Sequence, residues 1–173
     1  MAVAPQPTPD DHYEIILKLA HALLKDAGFK KKKSVFSRET GISTQVIRFA
    51  KDFRRWSKDA LDFKVGIEIT LHAIPPPLWG GRPYPNPHVL ADVGWFHTDP
   101  SQRGFKGWFR LRDISDPQEC WEDVESRLRD HVLPALDEAR TVPGIAKLLD
   151  EMGLLAMPRA QEYIRANAEH DQA

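Results

Sequence analysis

The chain has 173 residues, 42% of them hydrophobic and 28% charged, which is enough for one globular domain and too few for two ordinary ones. Its 24 Lys and Arg against 25 Asp and Glu give a net charge of -1, which argues against nucleic-acid binding through overall charge. The single cysteine excludes an intramolecular disulfide, and no bilayer-length apolar run or signal-peptide pattern is present, so we expect a cytoplasmic protein.

The chain is predicted to fold after a short proline-rich start. We predict a flexible leader over 1–9, a single α+β domain over 10–168 and a frayed tail over 169–173. Apolar residues at three- and four-residue steps predict a first helix over about 11–27. Asp10 or Asp11 is expected to cap it, and Gly28 is expected to end it in a left-handed conformation.

The middle of the chain has the patterns of antiparallel strands. Strict alternation from Asp62 to His72 predicts a strand with one buried and one wet face. Shorter strands are predicted over Val35 to Glu39, Gln45 to Lys51, Val89 to His97 and Lys106 to Arg112. If neighbouring strands pair, Arg48 is expected to meet Glu68 across the wet face.

Residues 74–88 hold six prolines and two glycines, so we predict a long loop without regular hydrogen bonding. The loop contains Trp79, Arg82 and Tyr84, a composition typical of protein contacts, because stiff segments lose little entropy on docking. The alternative is a rigid surface flap with Trp79 against the core.

The C-terminal part is predicted to be helical. Asp116 and Pro117 start a helix that reaches about Ala139, with a kink at Pro134. Two shorter helices follow, from Thr141 or Val142 to a stop at Gly153 and from about Pro158 to Ala168. The predicted fold class is therefore α+β, with an N-terminal helix, an antiparallel sheet of four or five strands and C-terminal helices packed on one sheet face.

Four segments carry a resemblance to a known family: Gly28-Phe29-Lys30-Lys31, Val35-Phe36-Ser37-Arg38, Gln45-Val46-Ile47-Arg48-Phe49 and Phe63-Lys64-Val65-Gly66-Ile67. In this order, over about residues 11–72, they resemble the bacterial domain-of-unknown-function 4304 family. The resemblance implies a small intracellular α+β protein without an assigned activity.

Catalytic and cofactor motifs are missing from the sequence. Cys120 lies eleven residues before His131 on one predicted helix, about 16 Å away, so the two cannot form a dyad. No phosphate loop or dinucleotide fingerprint occurs, and no cofactor is expected. The residues available for a metal cluster are His72, His88, Asp92, His97 and Asp99, whose spacing does not demand one, so no metal site is predicted.

Charge is distributed unevenly along the chain. Residues 30–64 hold eleven Lys or Arg and four acids, a net of +7, whereas residues 113–173 hold six Lys or Arg and fourteen acids, a net of -8. Four consecutive lysines cannot lie in a half-buried strand, so they are expected at a sheet edge or strand entrance, where lysines discourage aggregation. Alternatively, the basic and acidic regions face each other in the fold.

The function that the sequence favours is binding to another protein without catalysis. The predicted interaction surface consists of Lys30, Lys31, Lys32, Lys33, Arg54, Arg55, Trp56, Lys58, Trp79, Arg82 and Tyr84. Binding of single-stranded nucleic acid through the basic region is one alternative. A small enzyme with a pocket under the proline-rich loop is another, with Glu68, His72, His97 or Asp99 as acid-base groups.

Overall fold

The structure is a computed structural model, which describes residues 7–52, 59–76, 78–79, 82–83, 86–96, 107–112, 116–154 and 156–168. The helices of this part are α1 (Pro9–Asp26), α2 (Pro117–Arg127), α3 (Leu133–Glu138), α4 (Val142–Met152) and α5 (Pro158–Ala168). Its strands are β1 (Lys30–Lys32), β2 (Val35–Glu39), β3 (Ser43–Lys51), β4 (Ala60–Leu71), β5 (Leu78–Trp79), β6 (Arg82–Pro83), β7 (Val89–Asp92) and β8 (Trp108–Arg112). The predicted α+β class is confirmed.

The main sheet has six antiparallel strands in the order β1-β2-β3-β4-β7, with β8 also paired to β4. Strand β4 is long enough to pair twice: its first half pairs with β8 and its second half with β7. The sheet has more strands than the four or five predicted, because the lysine run itself forms the edge strand β1.

Helices cover one face of this sheet, and alternation decides which residues face them. The odd-numbered residues of β4 from Leu61 to Leu71 are all buried, together with Ile47 and Phe49 of β3. Aromatic rings form a row across the covered face, with neighbouring centroids 5.3–6.2 Å apart: Tyr13, Phe36, Phe49, Phe63 and Phe109. Such ring contacts add about 0.5–1.5 kcal/mol per pair beyond burial.

A buried polar network ties the sheet to the helices. Arg38 Nε donates to Gln45 Oε1 at 2.8 Å, and Arg38 Nη1 donates to the carbonyl of Ala27 at 3.0 Å. Gln45 Nε2 in turn donates to the carbonyls of Leu136 and Ala139 at 2.8 and 3.1 Å. Gln45 is fully buried, so these bonds satisfy orphan carbonyls at the end of α3 that water cannot reach.

The helix ends agree with the sequence except at the first cap. Thr8 caps α1, not Asp10 or Asp11, because its hydroxyl accepts from Asp11 N–H while the Asp11 carboxylate accepts from Thr8 N–H, a capping box. Pro9 is the first helical residue, inside the predicted leader, and residues 1–6 and 169–173 lie outside the described part. Gly28 and Gly153 have φ of 86° and 62°, as predicted for helix stops.

The long C-terminal helix changes geometry before its proline. Residues 128–132 form a π-helical segment, in which the N–H of Leu133 bonds the carbonyl of Leu128, five residues earlier. The irregular bond pattern thus precedes Pro134, which has no N–H to donate. Close packing follows: a Cβ on Gly144 would lie 1.8 Å from the carbonyl oxygen of Glu138, so only glycine fits where α4 meets the end of α3.

Two sequence predictions for residues 74–97 are wrong. The strand predicted from Val89 to His97 ends at Asp92, because the Asp92 carboxylate accepts from Gly94 N–H and turns the chain into a 3-10 helix over Val93–Phe96. The proline-rich segment does contain regular pairing, since β5 and β6 form a short antiparallel ribbon. Pro83 is tolerated there because a proline at an edge can still accept through its carbonyl.

Within the described residues, no helix combines the length and the apolar character needed to cross a membrane.

Candidate interaction surfaces

The lysine run lies at one edge of the main sheet, as predicted. Lys30 and Lys32 are exposed on β1, and Lys33 begins the turn to β2. The Lys31 ammonium group donates to the carbonyl of Leu17 at 3.3 Å and lies 5.9 Å from the ring centre of Phe36. Lys30, Lys32 and Lys33 make no ion pair within the described residues, so the edge keeps its positive charge.

The rest of the predicted surface is only partly placed. Residues 53–58, with Arg54, Arg55, Trp56 and Lys58, and Tyr84 lie outside the described residues. Trp79 and Arg82 pair with each other in the β5-β6 ribbon. This ribbon belongs to the connection from β4 to β7, whereas β1 stands at the other end of the strand order.

The acidic C-terminal region is linked to the basic region through one buried arginine. Arg38 Nη2 lies 2.8 Å from Asp137 Oδ1, and burial lowers the pKa of Arg38 while Asp137 opposes the shift. Other acids of the helices pair with cations of the same helical region: Asp123 with Arg127, Glu125 with Arg129 and Glu138 with Lys147. These pairs neutralise part of the negative charge within the helical region itself.

Among the described residues, the sheet face opposite the helices, called the open face below, carries large apolar side chains that are exposed. Four large hydrophobic side chains are exposed among the described residues, and three of them lie on or beside this face. Leu90 is 63% exposed, opposite Glu68 on β4; Trp108 is 56% exposed, opposite Lys64; and Trp95 is 38% exposed. Aromatic and leucine side chains grouped in this way are typical of binding surfaces.

A depression of about 360 Å³ lies in this open face, with Gly66 among its lining residues. Ala50 also lines it, so a glycine and an alanine on the open face leave the space empty. A Cβ added to Gly66 would be 3.8 Å from the Arg48 carbonyl oxygen and 3.9 Å from that of Ala91, which is ordinary contact. The glycine is therefore not required by close packing of the backbone.

Two ion pairs on the open face neutralise four of its charged side chains, and one of these pairs, Arg48 with Glu68, lines the depression. Arg48 and Glu68 pair as predicted, through hydrogen bonds of 2.7 and 3.1 Å. Arg110 donates two hydrogen bonds to the Asp62 carboxylate, of 2.6 and 2.8 Å. The hydrogen bonds from Arg110 lower the pKa of Asp62. Lys64 is exposed, and its ammonium group lies 5.7 Å from the ring centre of Trp108.

A second concavity lies where α1 passes the lysine edge. This groove, of about 700 Å³, is lined by Tyr13, Glu14, Leu17, Lys31, Lys33, Ser34, Arg48, Phe49, Ala50 and Lys51. The Tyr13 hydroxyl donates to the Phe49 carbonyl at 3.0 Å, and burial raises the pKa of Tyr13 to about 12. Lys51 pairs with Asp10 at 2.7 Å, and its ammonium group lies 4.5 Å from the ring centre of Tyr13.

The residues considered for metal binding or catalysis have other contacts. His72 contacts Glu39 and Thr44, each at 3.1 Å, and Glu68 pairs with Arg48. The buried His88 accepts through Nδ1 from Leu71 N–H at 2.8 Å, and burial lowers its pKa. Within the described ranges, which leave out His97 and Asp99, no three His, Cys, Asp or Glu residues are grouped to hold a metal ion.

Cys120 is partly buried on α2, and burial raises the pKa of its thiol to about 11. The thiol is therefore protonated at neutral pH and a poor nucleophile.

The apolar patch formed by Leu90, Trp95 and Trp108 on the open face was not predicted from the sequence. Part of it could have been, because Leu90 and Trp108 occupy positions on the solvent-facing side of strands that otherwise alternate. Trp95 carried no such signal, because it was assigned to a strand and lies in the 3-10 helix.

The comparisons with known proteins identify a family and no characterised relative. The model of a family described as "Domain of unknown function (DUF4304)" matches residues 20–138, more than half of the chain. The matched region includes the last seven residues of α1, the whole main sheet and the helices up to the end of α3. No curated protein and no solved structure matches the chain.

Proposed function

The chain belongs to the DUF4304 family, whose function is unassigned, and we propose that it is a protein-binding module whose partner docks on the open face of the sheet. The observation that carries the proposal is the grouping of Leu90, Trp95 and Trp108 as exposed side chains on that one face. Tryptophan is enriched among residues that dominate binding energy at protein interfaces. We also propose that the protein is located in the bacterial cytoplasm, because of the sequence resemblance and the single cysteine.

The partner that fits this face presents an amphipathic helix. The ion pairs of Arg48 with Glu68 and of Arg110 with Asp62 neutralise four charged side chains of the face, so an apolar strip suits the surface between them. Lys64 makes a cation-ring contact with Trp108, and an acidic residue beside the apolar strip would complement it. A helix there would add the third layer that a sheet with one covered face lacks.

The Gly66 depression supplies a place for one apolar side chain of the partner. Its volume of about 360 Å³ is ample for a leucine or phenylalanine side chain, and Leu90 and Trp95 line it. Burying such a side chain contributes about 1.5–3 kcal/mol. This knob-and-hole contact would fix the register of the helix on the sheet.

Affinity capture with matched variants tests the proposal. The bait is the full chain, used as wild type, as the Leu90→Ala/Trp108→Ala double variant, and as Ile15→Ala, which truncates the exposed hydrophobic side chain on α1. Captured proteins from lysate of the source organism are quantified by mass spectrometry, and the best candidate is then purified and titrated. We expect a partner whose binding is lost with the double variant and kept with Ile15→Ala.

Three outcomes would contradict the proposal. The first is a partner that the double variant binds as tightly as the wild type does. The second is the absence of any partner that distinguishes the two variants. The third is self-association of the wild-type chain that the double variant abolishes, because the occupant would then be a second copy.

A further inference from the structure

The groove beside the lysine edge is formed by α1, the last residues of β3 and the turn between β1 and β2. Strand β2 pairs with β3 up to the bond from Phe49 N–H to the Ser34 carbonyl at 2.9 Å, and β3 continues to Lys51. The Tyr13 hydroxyl donates a hydrogen bond to the carbonyl of Phe49 itself. Helix α1 therefore forms one wall and the β1-β2 turn the other, with a volume of about 700 Å³ that is within the range of small-ligand sites.

The groove has an excess of positive charge. Four cations line it and only one acid, Glu14. Two of the cations are neutralised, Arg48 by Glu68 and Lys51 by Asp10. The remaining two are Lys31, held by its bond to the Leu17 carbonyl, and Lys33, which makes no ion pair in the described part of the chain. An anion is therefore the complementary ligand.

The backbone of Lys33 is an independent sign that this side chain matters. Lys33 and Ser34 form the two-residue connection between the paired residues Lys32 and Val35. Lys33 has φ of 58°, and it is the only non-glycine residue with positive φ among those described. Glycine favours such a turn position, whereas a residue with a Cβ is strained there. Strain of this kind is concentrated at functional sites.

From this geometry we infer that the groove binds a compact organic polyanion carrying phosphate or carboxylate groups, with Lys33 as the residue that determines anion binding. Protection of a sheet edge explains Lys30 and Lys32, which lie on β1 itself. It does not explain a lysine in a left-handed turn, since glycine there would leave the edge equally covered. Ser34 adds a hydroxyl at the groove wall. The groove adjoins the Gly66 depression of the open face and shares Arg48 and Ala50 with it, whereas Lys33 lines the groove alone.

Titration of the full chain with pyrophosphate and with citrate at constant ionic strength tests the inference, and the two probes distinguish phosphate from carboxylate recognition. The informative variant is Lys33→Gly, and Lys32→Gln removes a positive charge outside the groove. We expect saturable binding of at least one probe to the wild type, a Kd raised at least about tenfold by Lys33→Gly, and a change below about twofold in Lys32→Gln. The unfolding midpoint of Lys33→Gly is expected to rise by about 2–4 °C.

Loss of binding together with a rise in thermal stability excludes misfolding as the cause and supports the inference. Equal weakening by both variants would overturn it, because the effect would then come from general electrostatics. Failure of both probes to saturate in the millimolar range would also overturn it. So would binding of an oligonucleotide, but neither probe, with a strong dependence on salt.

Discussion

The two faces of the main sheet each carry an arginine in a polar pair, and the two pairs differ in what they contribute. Arg38 lies on the covered face, almost completely buried, and bonds Gln45 and a helix carbonyl. Arg48 lies on the open face, with 44% of its side chain exposed, and pairs with Glu68. The buried group has no water to replace a lost partner, whereas the half-exposed Arg48 does, and its partner Glu68 keeps 16% of its side chain exposed. The buried pair is therefore expected to contribute more to the free energy of unfolding than the pair on the open face.

The largest difference between the faces is expected from two leucine substitutions on β3. Gln45→Leu keeps most of the side-chain volume but leaves Arg38 Nε and two helix carbonyls without their partner, so we expect a loss of about 2–4 kcal/mol. Arg48→Leu is the matched change on the open face, with a loss below about 1 kcal/mol. Urea unfolding of both variants measures these values. Similar losses from the two substitutions would show that the faces do not differ in this way.

A smaller effect is expected from the buried His88. Its Nδ1 accepts from Leu71 N–H, so the neutral ring is the form that the fold binds, and burial lowers its pKa. The unfolded chain, with a pKa of about 6.5, takes up the proton first as the pH falls. The contribution of His88 to the free energy of unfolding is therefore constant above that pH. Below it, this contribution decreases by at most about 1.4 kcal/mol per pH unit, until the pH reaches the pKa of His88 in the folded chain.

The control for His88 is the difference between wild type and His88→Gln. Urea unfolding at pH 7.5 and 5.5 should show a larger loss on acidification in the wild type, because the variant lacks the titrating ring. An equal pH dependence in wild type and His88→Gln would contradict the assignment.

The sequence was sufficient where local pattern and geometry coincide. Strict alternation located β4, and the pairing of Arg48 with Glu68 follows from it. Gly153 ends α4 with the positive φ that its residue type favours. These features depend on neighbours in sequence or on one pair of adjacent strands.

The features that could not be predicted from the sequence depend on contacts between segments that are distant in the chain. The Arg38-Gln45 network could not be predicted, because Gln45 meets carbonyls more than 90 residues away. The end of β7 was missed because the Asp92 turn competes with an apparently regular strand pattern. The apolar patch arises from β7, β8 and the 3-10 helix, which meet only because β4 pairs twice.

The measurement that tests the central claim most directly is on Gly66→Val. A Cβ there meets only ordinary contacts, and valine suits a strand better than glycine, so the free energy of unfolding should be unchanged or higher by up to about 1 kcal/mol. The valine side chain occupies part of the depression in which the partner's side chain would lie, so the partner captured by the wild type should be lost. Thr70→Val, on the same face of β4 but outside the depression, should keep it. A stable Gly66→Val protein that binds the partner as the wild type does would contradict docking on the open face.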